Sequence, residues 1–497
     1  MPEDAVRIHA PELSGGSEWF NIAAPLALRQ LRGKVVLLDF WTYGCVNCMH
    51  ILPDLRRLEE KYRDELVIVG IHSAKFTNER KSDYIRRILV RYDIDHPVVN
   101  DASFAIWKEY GARAWPTQVL IDPEGYVVAT ASGEGHADGF DRAIAAVIQV
   151  FDEKGLIDRT PLPKSLERER LATSTLAFPG KVLADEPGGR LFIADSNHHR
   201  IVVTRLDGSI LDVIGDGHAG FVNGAFAGAR FYRPQGLALD GDRLFVADTE
   251  NHAVRMADLR ERRVTTVAGT GRQAAWGGQG GVATTTSLSS PWDVLVRPGL
   301  GLLFVAMAGT HQIWMIDLAR GLALPYAGSG REARIDGGVD EAAFAQPSGL
   351  ALVDSTLYVA DAESNIIRAI ALPPENRVRT IAGGDLFEWG DRDGRGDHAR
   401  LQHPLGIAAA GARLFVADTY NHRIRTLNPA TGDVRTFAGT GTEGATDGPG
   451  AAASFYEPGG VSATADALFV ADTNNHAIRK IDIAGGRVTT IKITGGS

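Results

Sequence analysis

The strongest constraint on how this 497-residue chain can fold is a six-fold internal repeat in its last two-thirds. The strings LFIADSNHHRI, LFVADTENHAV, LFVAMAGTHQI, LYVADAESNII, LFVADTYNHRI and LFVADTNNHAI follow one another in order. The residue after the alanine is Asp195, Asp248, Met307, Asp361, Asp418 and Asp472, at spacings of 53, 59, 54, 57 and 54. A proline-led marker precedes each copy (FPGKV, RPQGL, SPWDV, QPSGL, HPLGI, EPGGV), and strings such as VTTVAGTG and VRTFAGTG follow most of them. With Gly, Asp and Asn read as turn residues, each unit is four short strands. One such sheet cannot bury both of its faces, whereas six stacked radially can, which predicts a six-bladed propeller over residues 175–497. The chain starts this ring on an inner strand and leaves it, at VTTIKI, on an outer one, so the repeat does not specify how the ring closes.

Residues 1–155 follow a different rule. VVLLDF and LVIVGI are apolar runs without polar alternation, as strands covered on both faces are. Between and after them come helical patterns: CMHILPDLRRLEEKYRDE, with Ile51, Leu55, Leu58 and Tyr62 on one face, then SDYIRRILVRYD, FAIWKEYG and FDRAIAAVIQVFDE. HPVV, TQVLID and GYVVATA read as further strands, and the alternation predicts an α/β layer domain. Residues 156–174 are polar with two prolines and are expected to be a linker.

Composition narrows the function classes. The net charge is −9 and no Lys/Arg-rich run is present, so nucleic acid and anionic membrane are not expected as partners. MPEDAVRIHAPELSGG has acids where a secretion signal carries Lys or Arg, and no apolar run reaches the ~18 residues of a membrane span. A cytoplasmic location is expected, where two cysteines are not a disulfide scaffold.

Those two cysteines are Cys45 and Cys48, in FWTYGCVNC directly after the first strand. A Cys-x-x-Cys at a strand-to-helix junction places Cys45 at the first turn of a helix, where unpaired N–H groups favour a thiolate, and Cys48 one turn further in. That order suits an exposed attacking thiol and a shielded one that resolves the mixed disulfide. Other readings of the pair are half a zinc site completed by His50 and His72, or two inert buried thiols.

The LFVADTxNHxI copies resemble NHL repeats, and residues 30–135 resemble the thioredoxin superfamily, especially its TlpA-like branch. The two in this order resemble the NHL repeat-containing protein 2 family, and FWTYGCVNC is also similar to the thioredoxin-like part of DipZ-type proteins. The resemblance implies a redox-active Cys45–Cys48 disulfide with no other cofactor. It makes Asp39 the buried acid that exchanges a proton with Cys48, Pro53 the helix-kinking proline, and Pro116 a cis-proline beside the cysteines. Trp115 would pair with a substrate strand, and Thr117, Trp41 and Tyr43 are assigned with it to the substrate surface. The chain departs from thioredoxin at Val46-Asn47, where thioredoxin has Gly-Pro, and at Gly44, which replaces a bulky aromatic. Thr42-Tyr43-Gly44-Cys45 also matches the Thr-x-x-Cys of peroxiredoxins, although Leu38 stands where that family has proline.

In the repeats, Asp-x-x-Asn-His is expected to serve the turns, with Asp and Asn bonding local backbone and His capping a neighbour. A ring of histidines as a metal site is the alternative, and no metal is expected. Breaks in the repeat mark possible partner surfaces: Met307 in place of Asp, Trp292 in SPWDV, and the long loops 272–286 and 385–400 carrying Trp276 and Trp389. The expected function is thiol–disulfide exchange or redox sensing on a protein substrate, with the propeller as interaction platform. A non-catalytic scaffold and a thiol peroxidase are the alternatives.

Overall fold

The computed structural model describes residues 7–170, 174–275 and 277–495. They separate into two compact units on either side of residue 172. In the first, the order is β1 (Trp19–Phe20), β2 (Val35–Trp41), α1 (Val46–His50), α2 (Leu52–Lys61), β3 (Leu66–His72), α3 (Ser82–Arg91), β4 (Val98–Asn100), α4 (Ala105–Glu109), β5 (Thr117–Ile121), β6 (Val127–Ser132) and α5 (Ala137–Glu153). The sheet runs β1-β4-β3-β2-β5-β6, with β2, β3 and β4 parallel and the other pairs antiparallel. This is the thioredoxin-like fold.

Every residue of β2 is buried because both faces of the strand are covered. Val36, Leu38 and Phe40 pack with Val67, Val69 and Ile71 of β3 and Ile106 of α4 into one core. The alternate residues Leu37, Asp39 and Trp41 point to the opposite face, and α2 packs on β3 and α5 on β2. The helical pattern after Cys48 is not one helix: it breaks at Ile51, two residues before Pro53. Proline has no N–H to offer the carbonyl of Met49, four residues back, so the first turn is left as a separate element.

Through residue 170 the stretch expected as a linker is tied to this unit. Asp158 N–H donates to Gly33 O, Glu167 N–H donates to Asn21 Oδ1, and Leu162 packs against the core.

The second unit is a six-bladed propeller of antiparallel sheets. The inner strands are Val182–Asp185, Pro234–Asp240, Pro291–Arg297, Pro347–Val353, Gly406–Ala410 and Pro458–Ala463, and each packs beside the next, the last beside the first. In blades 2 to 6 a two-residue strand from the preceding loop extends the outer edge.

The repeated Asp does not bond the backbone of its own turn. Its Oδ1 accepts a backbone N–H from the lead-in to its own blade: Tyr232 to Asp248, Ala345 to Asp361, Gln402 to Asp418, Tyr456 to Asp472. In blades 2, 5 and 6 its Oδ2 accepts from Asn three residues on and from Arg seven residues on, as in Asp248 with Asn251 and Arg255, both at 2.8 Å. The repeated His takes the left-handed conformation. Its Nδ1 accepts an N–H of the next blade, from Arg233 to His199, Ser290 to His252, Gln346 to His311 and Glu457 to His422. Asn365 does the same for His403, and His476 closes the ring by accepting from Phe178 at 3.0 Å. Among the described residues no helix is long and apolar enough to cross a membrane.

Candidate functional site

The C-terminal end of β2 delivers Thr42-Tyr43-Gly44 to Cys45, which caps α1 in an extended conformation (φ −102, ψ 115). The Cys48 N–H donates to Cys45 O at 3.1 Å, and both thiols are free. Cys48 is 1% exposed and Cys45 only 6%, which corrects the expectation of an exposed attacking sulfur. Burial pushes the Cys48 thiol pKa well up, and its hydrogen bond to Cys45 and the charges of Cys45 and Asp39 push it further the same way. Asp39 is 1% exposed, and burial raises its carboxyl to about 7 against the opposing charge of His96. A shielded thiol and a carboxyl that titrates near neutrality thus lie together.

Trp41 and Tyr43 are packing residues rather than a substrate surface. Both are buried, and His72 sits between them, edge-on to Trp41 at 4.9 Å and stacked on Tyr43 at 5.7 Å. Burial lowers the His72 pKa to about 3, so the ring is neutral. His50 instead faces Glu134, Nδ1 to Oε1 at 3.0 Å. Among the described residues no three His, Cys, Asp or Glu side chains gather to hold a metal ion.

The register of β2 with β5 pairs Phe40 with Thr117, which sets Pro116 at the same end of the sheet as the dithiol. The Trp115–Pro116 peptide is cis. Trp115 is half-buried, donates Nε1–H to Ser73 O at 2.9 Å and stands 4.8 Å from the Trp107 ring. Thr117 is buried, with its hydroxyl bonded to Ala114 O and Ser132 Oγ.

Glu79 was not anticipated. It is fully buried, and its carboxylate accepts from the Thr42 hydroxyl and from the N–H groups of Gly44 (2.8 Å), Lys75 (2.7 Å) and Phe76 (3.0 Å). Burial raises it to about 7 even though those bonds favour the charged form. Gly44 explains itself here: a Cβ on it would lie 2.6 Å from Glu79 Oε1 and 3.0 Å from the Phe76 ring. A glycine directly before the motif was the one sequence signal that another group fills its space.

In the propeller, Trp292 is 8% exposed on an inner strand and offers no protruding ring. Trp389 is half-buried, and Trp276 lies outside the described residues. The break at SPWDV matters through its next residue. Two residues after the marker proline stand Lys181, Gly236, Asp293, Gly349, Gly406 and Gly460. Lys181 Nζ reaches across the axis to Asp293 Oδ2 (3.2 Å), Ser348 O (2.7 Å) and Leu405 O (2.8 Å).

Residues 33–127 match the Thioredoxin-like family model and residues 231–255 the NHL repeat model. The chain is 45% identical over 506 residues to Protein SUPPRESSOR OF QUENCHING 1, chloroplastic, of Arabidopsis thaliana, covering 98% of this chain and 48% of that protein. It is 42% identical over 508 residues to NHL repeat-containing protein 2 of Gallus gallus, covering 95% of this chain and 70% of that one. Over 134 residues it is 29% identical to Thiol-disulfide oxidoreductase ResA of Halalkalibacterium halodurans, covering 26% of this chain and 68% of that protein.

Proposed function

The chain belongs to the NHL repeat-containing protein 2 family, and on that premise we propose that its first unit exchanges thiols and disulfides with protein substrates recruited by the propeller. The observation that carries the reading is the Cys48 thiol, hydrogen-bonded to Cys45 and facing the buried Asp39. The likeness of the first unit to a protein named as a thiol-disulfide oxidoreductase supports the class of reaction.

In the reaction, the Cys45 thiolate attacks a substrate disulfide, one substrate sulfur leaves as thiolate, and a mixed disulfide forms on Cys45. Asp39 then takes the proton of Cys48, whose sulfur attacks Cys45. The second substrate sulfur leaves, a Cys45–Cys48 disulfide forms, and the substrate disulfide has gained the two electrons the dithiol lost. Trp115 and Pro116 flank the dithiol end of the sheet and position the substrate. A reducing compartment such as the cytoplasm keeps the pair in its dithiol form.

Reduction of insulin disulfides by the full chain tests this, with Cys45→Ser as the control. Activity in the wild type and none in the variant is expected; equal rates reject the assignment. The small exposure of Cys45, with Trp41 and Tyr43 packed inward, favours a second reading in which the unit is a docking scaffold without turnover. That reading expects no difference between the two proteins. A peroxidase role loses its main support, because the Thr42 hydroxyl donates to Glu79 and has no hydrogen left to orient a peroxide.

A further inference from the structure

Asp39 must release the proton it takes from Cys48, yet it is 1% exposed. The β2/β3 register places Gly70 beside it and His72 beside Trp41 on one face of the sheet. A Cβ on Gly70 would lie 2.9 Å from Trp41 Nε1 and 3.3 Å from His96 Nε2, so the glycine opens the space through which the His96 ring approaches that face. His96 is itself 3% exposed. Its other nitrogen, Nδ1, is 3.4 Å from Glu59 Oε2, and Glu59 Oε1 accepts from Lys164 Nζ at 3.2 Å.

Glu59 and Lys164 line a surface cavity of about 520 Å3, with Lys34, Asp64 and Leu66 among its walls. Those walls lie at the N-terminal ends of β2 and β3, the opposite end of the sheet from the dithiol. Asp39 Oδ1, Trp41 Nε1 and both His72 nitrogens are buried without a protein hydrogen-bond partner. Buried polar atoms in such a group normally share water, and a water there would join Asp39 to His96 Nε2.

We propose that His96 and Glu59 form the proton exit of the resolving step, carrying the Cys48 proton from Asp39 to solvent at this cavity rather than past the dithiol. The proton moves from Cys48 Sγ to Asp39, through the water to His96 Nε2, from His96 Nδ1 to Glu59, and out; no electrons move along this path. Burial alone would raise the Glu59 carboxyl, but His96 and Lys164 outweigh it and hold it below the ordinary range, so it returns to the charged form after each transfer. Among the described residues the titratable groups facing Asp39 are Cys48 from α1, His72 from β3 and His96 from the loop before β4; Glu59 of α2 and then Lys164 stand behind His96.

The proposal rests on the dithiol reading, and its test separates the two. Ellman's reagent releases one thionitrobenzoate when Cys45 attacks and a second when Cys48 resolves, so stopped flow times each step in the full chain. His96→Gln is expected to slow the second release roughly ten-fold relative to the first and to move its pH midpoint upward, because the charge that opposes protonation of Asp39 is gone. Glu59→Gln, at a position 19% exposed, should slow the second release with a smaller shift of midpoint. Imidazole added to His96→Gly should restore the rate. Wild-type rate and midpoint in both glutamine variants would overturn the path. If neither release occurs even in the wild type, the dithiol reading has failed instead. The carboxyl stretch of Asp39, followed against pH by infrared spectroscopy, then still tests whether His96 faces it: an upward shift in His96→Gln supports the contact, and none refutes it.

Discussion

At Asp39 burial and chemistry pull in opposite directions. Its carboxyl ionises near 7 in the folded chain, against about 3.9 when unfolded. Between those values the folded state binds a proton that the unfolded state has lost, so the contribution of Asp39 to stability is greatest below about pH 4 and is lost as pH rises through 7. Three pH units correspond to about 4 kcal/mol at most. Asp39→Asn should therefore gain on the wild type, by a few kcal/mol, in urea unfolding carried from about pH 4 to about pH 8. A constant gap between the two proteins would show that the carboxyl is not strained. The same variant should lose the rise in the resolving rate around neutrality. Glu79 is strained for a different purpose, since it holds the turn before Cys45 by four donors. Glu79→Leu leaves those donors buried and unpaired and should destabilise the chain by about 3 kcal/mol or more, whereas Glu79→Gln, which keeps one acceptor, should lose less. Equal unfolding midpoints for the two variants would mean the carboxylate is not what orders the turn.

Buried Asp–Arg pairs hold blades 2, 4, 5 and 6, Asp195 meets Arg200 in blade 1, and the pair explains the break in the third. Asp248, Asp361, Asp418 and Asp472 meet Arg255, Arg368, Arg425 and Arg479, at 2.8, 3.4, 2.8 and 2.7 Å, with all eight side chains 1% exposed or less. In blade 3 both partners change together, to Met307 and Trp314, which are buried in one apolar cluster. Met307→Asp should cost about 3–5 kcal/mol by leaving a buried carboxylate unpaired, and adding Trp314→Arg should recover much of it. Simple additivity of the two in thermal unfolding would show that the positions do not form a unit. The repeat itself was plain in the sequence because strand, turn and marker recur together. In blades 2, 4, 5 and 6 an arginine directly follows the repeated string; these were missed, so the Asp was read as a local turn former. In the first unit the order of strands and helices was legible from apolar runs and helical spacing. Cys45 and Cys48 were legible as a pair for the same local reason. The burial of Cys45, the role of Glu79 and the approach of His96 were not, because each depends on segments distant in sequence that meet only in the fold.

Closure of the ring combines both kinds of information. His476 to Phe178 and Thr473 to Pro179 O repeat, between last and first blade, the bonds that join consecutive blades, as Thr249 does with Pro291 O. Among the described residues blade 1 has no two-residue outer strand of its own. Residues near Thr494 take that place, accepting from Ile210 N–H and donating to Gly208 O. The end of the sixth repeat thus adds to the edge of blade 1, and the axis supplies a further tie. Lys181 of blade 1 bonds to blades 3, 4 and 5 at a level where four blades carry only glycine. Burial pushes its pKa down and that of Asp293 up, and the attraction between them offsets part of each shift. An ammonium group with three acceptors thus crosses the axis at that level. Lys181→Met removes the cation while Asp293 stays buried, and it should cost about 3–5 kcal/mol in urea unfolding of the full chain. Pairing it with Asp293→Asn removes the stranded charge and should recover at least half of that loss. The first measurement to make is the single variant: a loss below about 1 kcal/mol would mean that the blades hold the circle without this strut, and that the two non-glycine residues at the axis are tolerated rather than required.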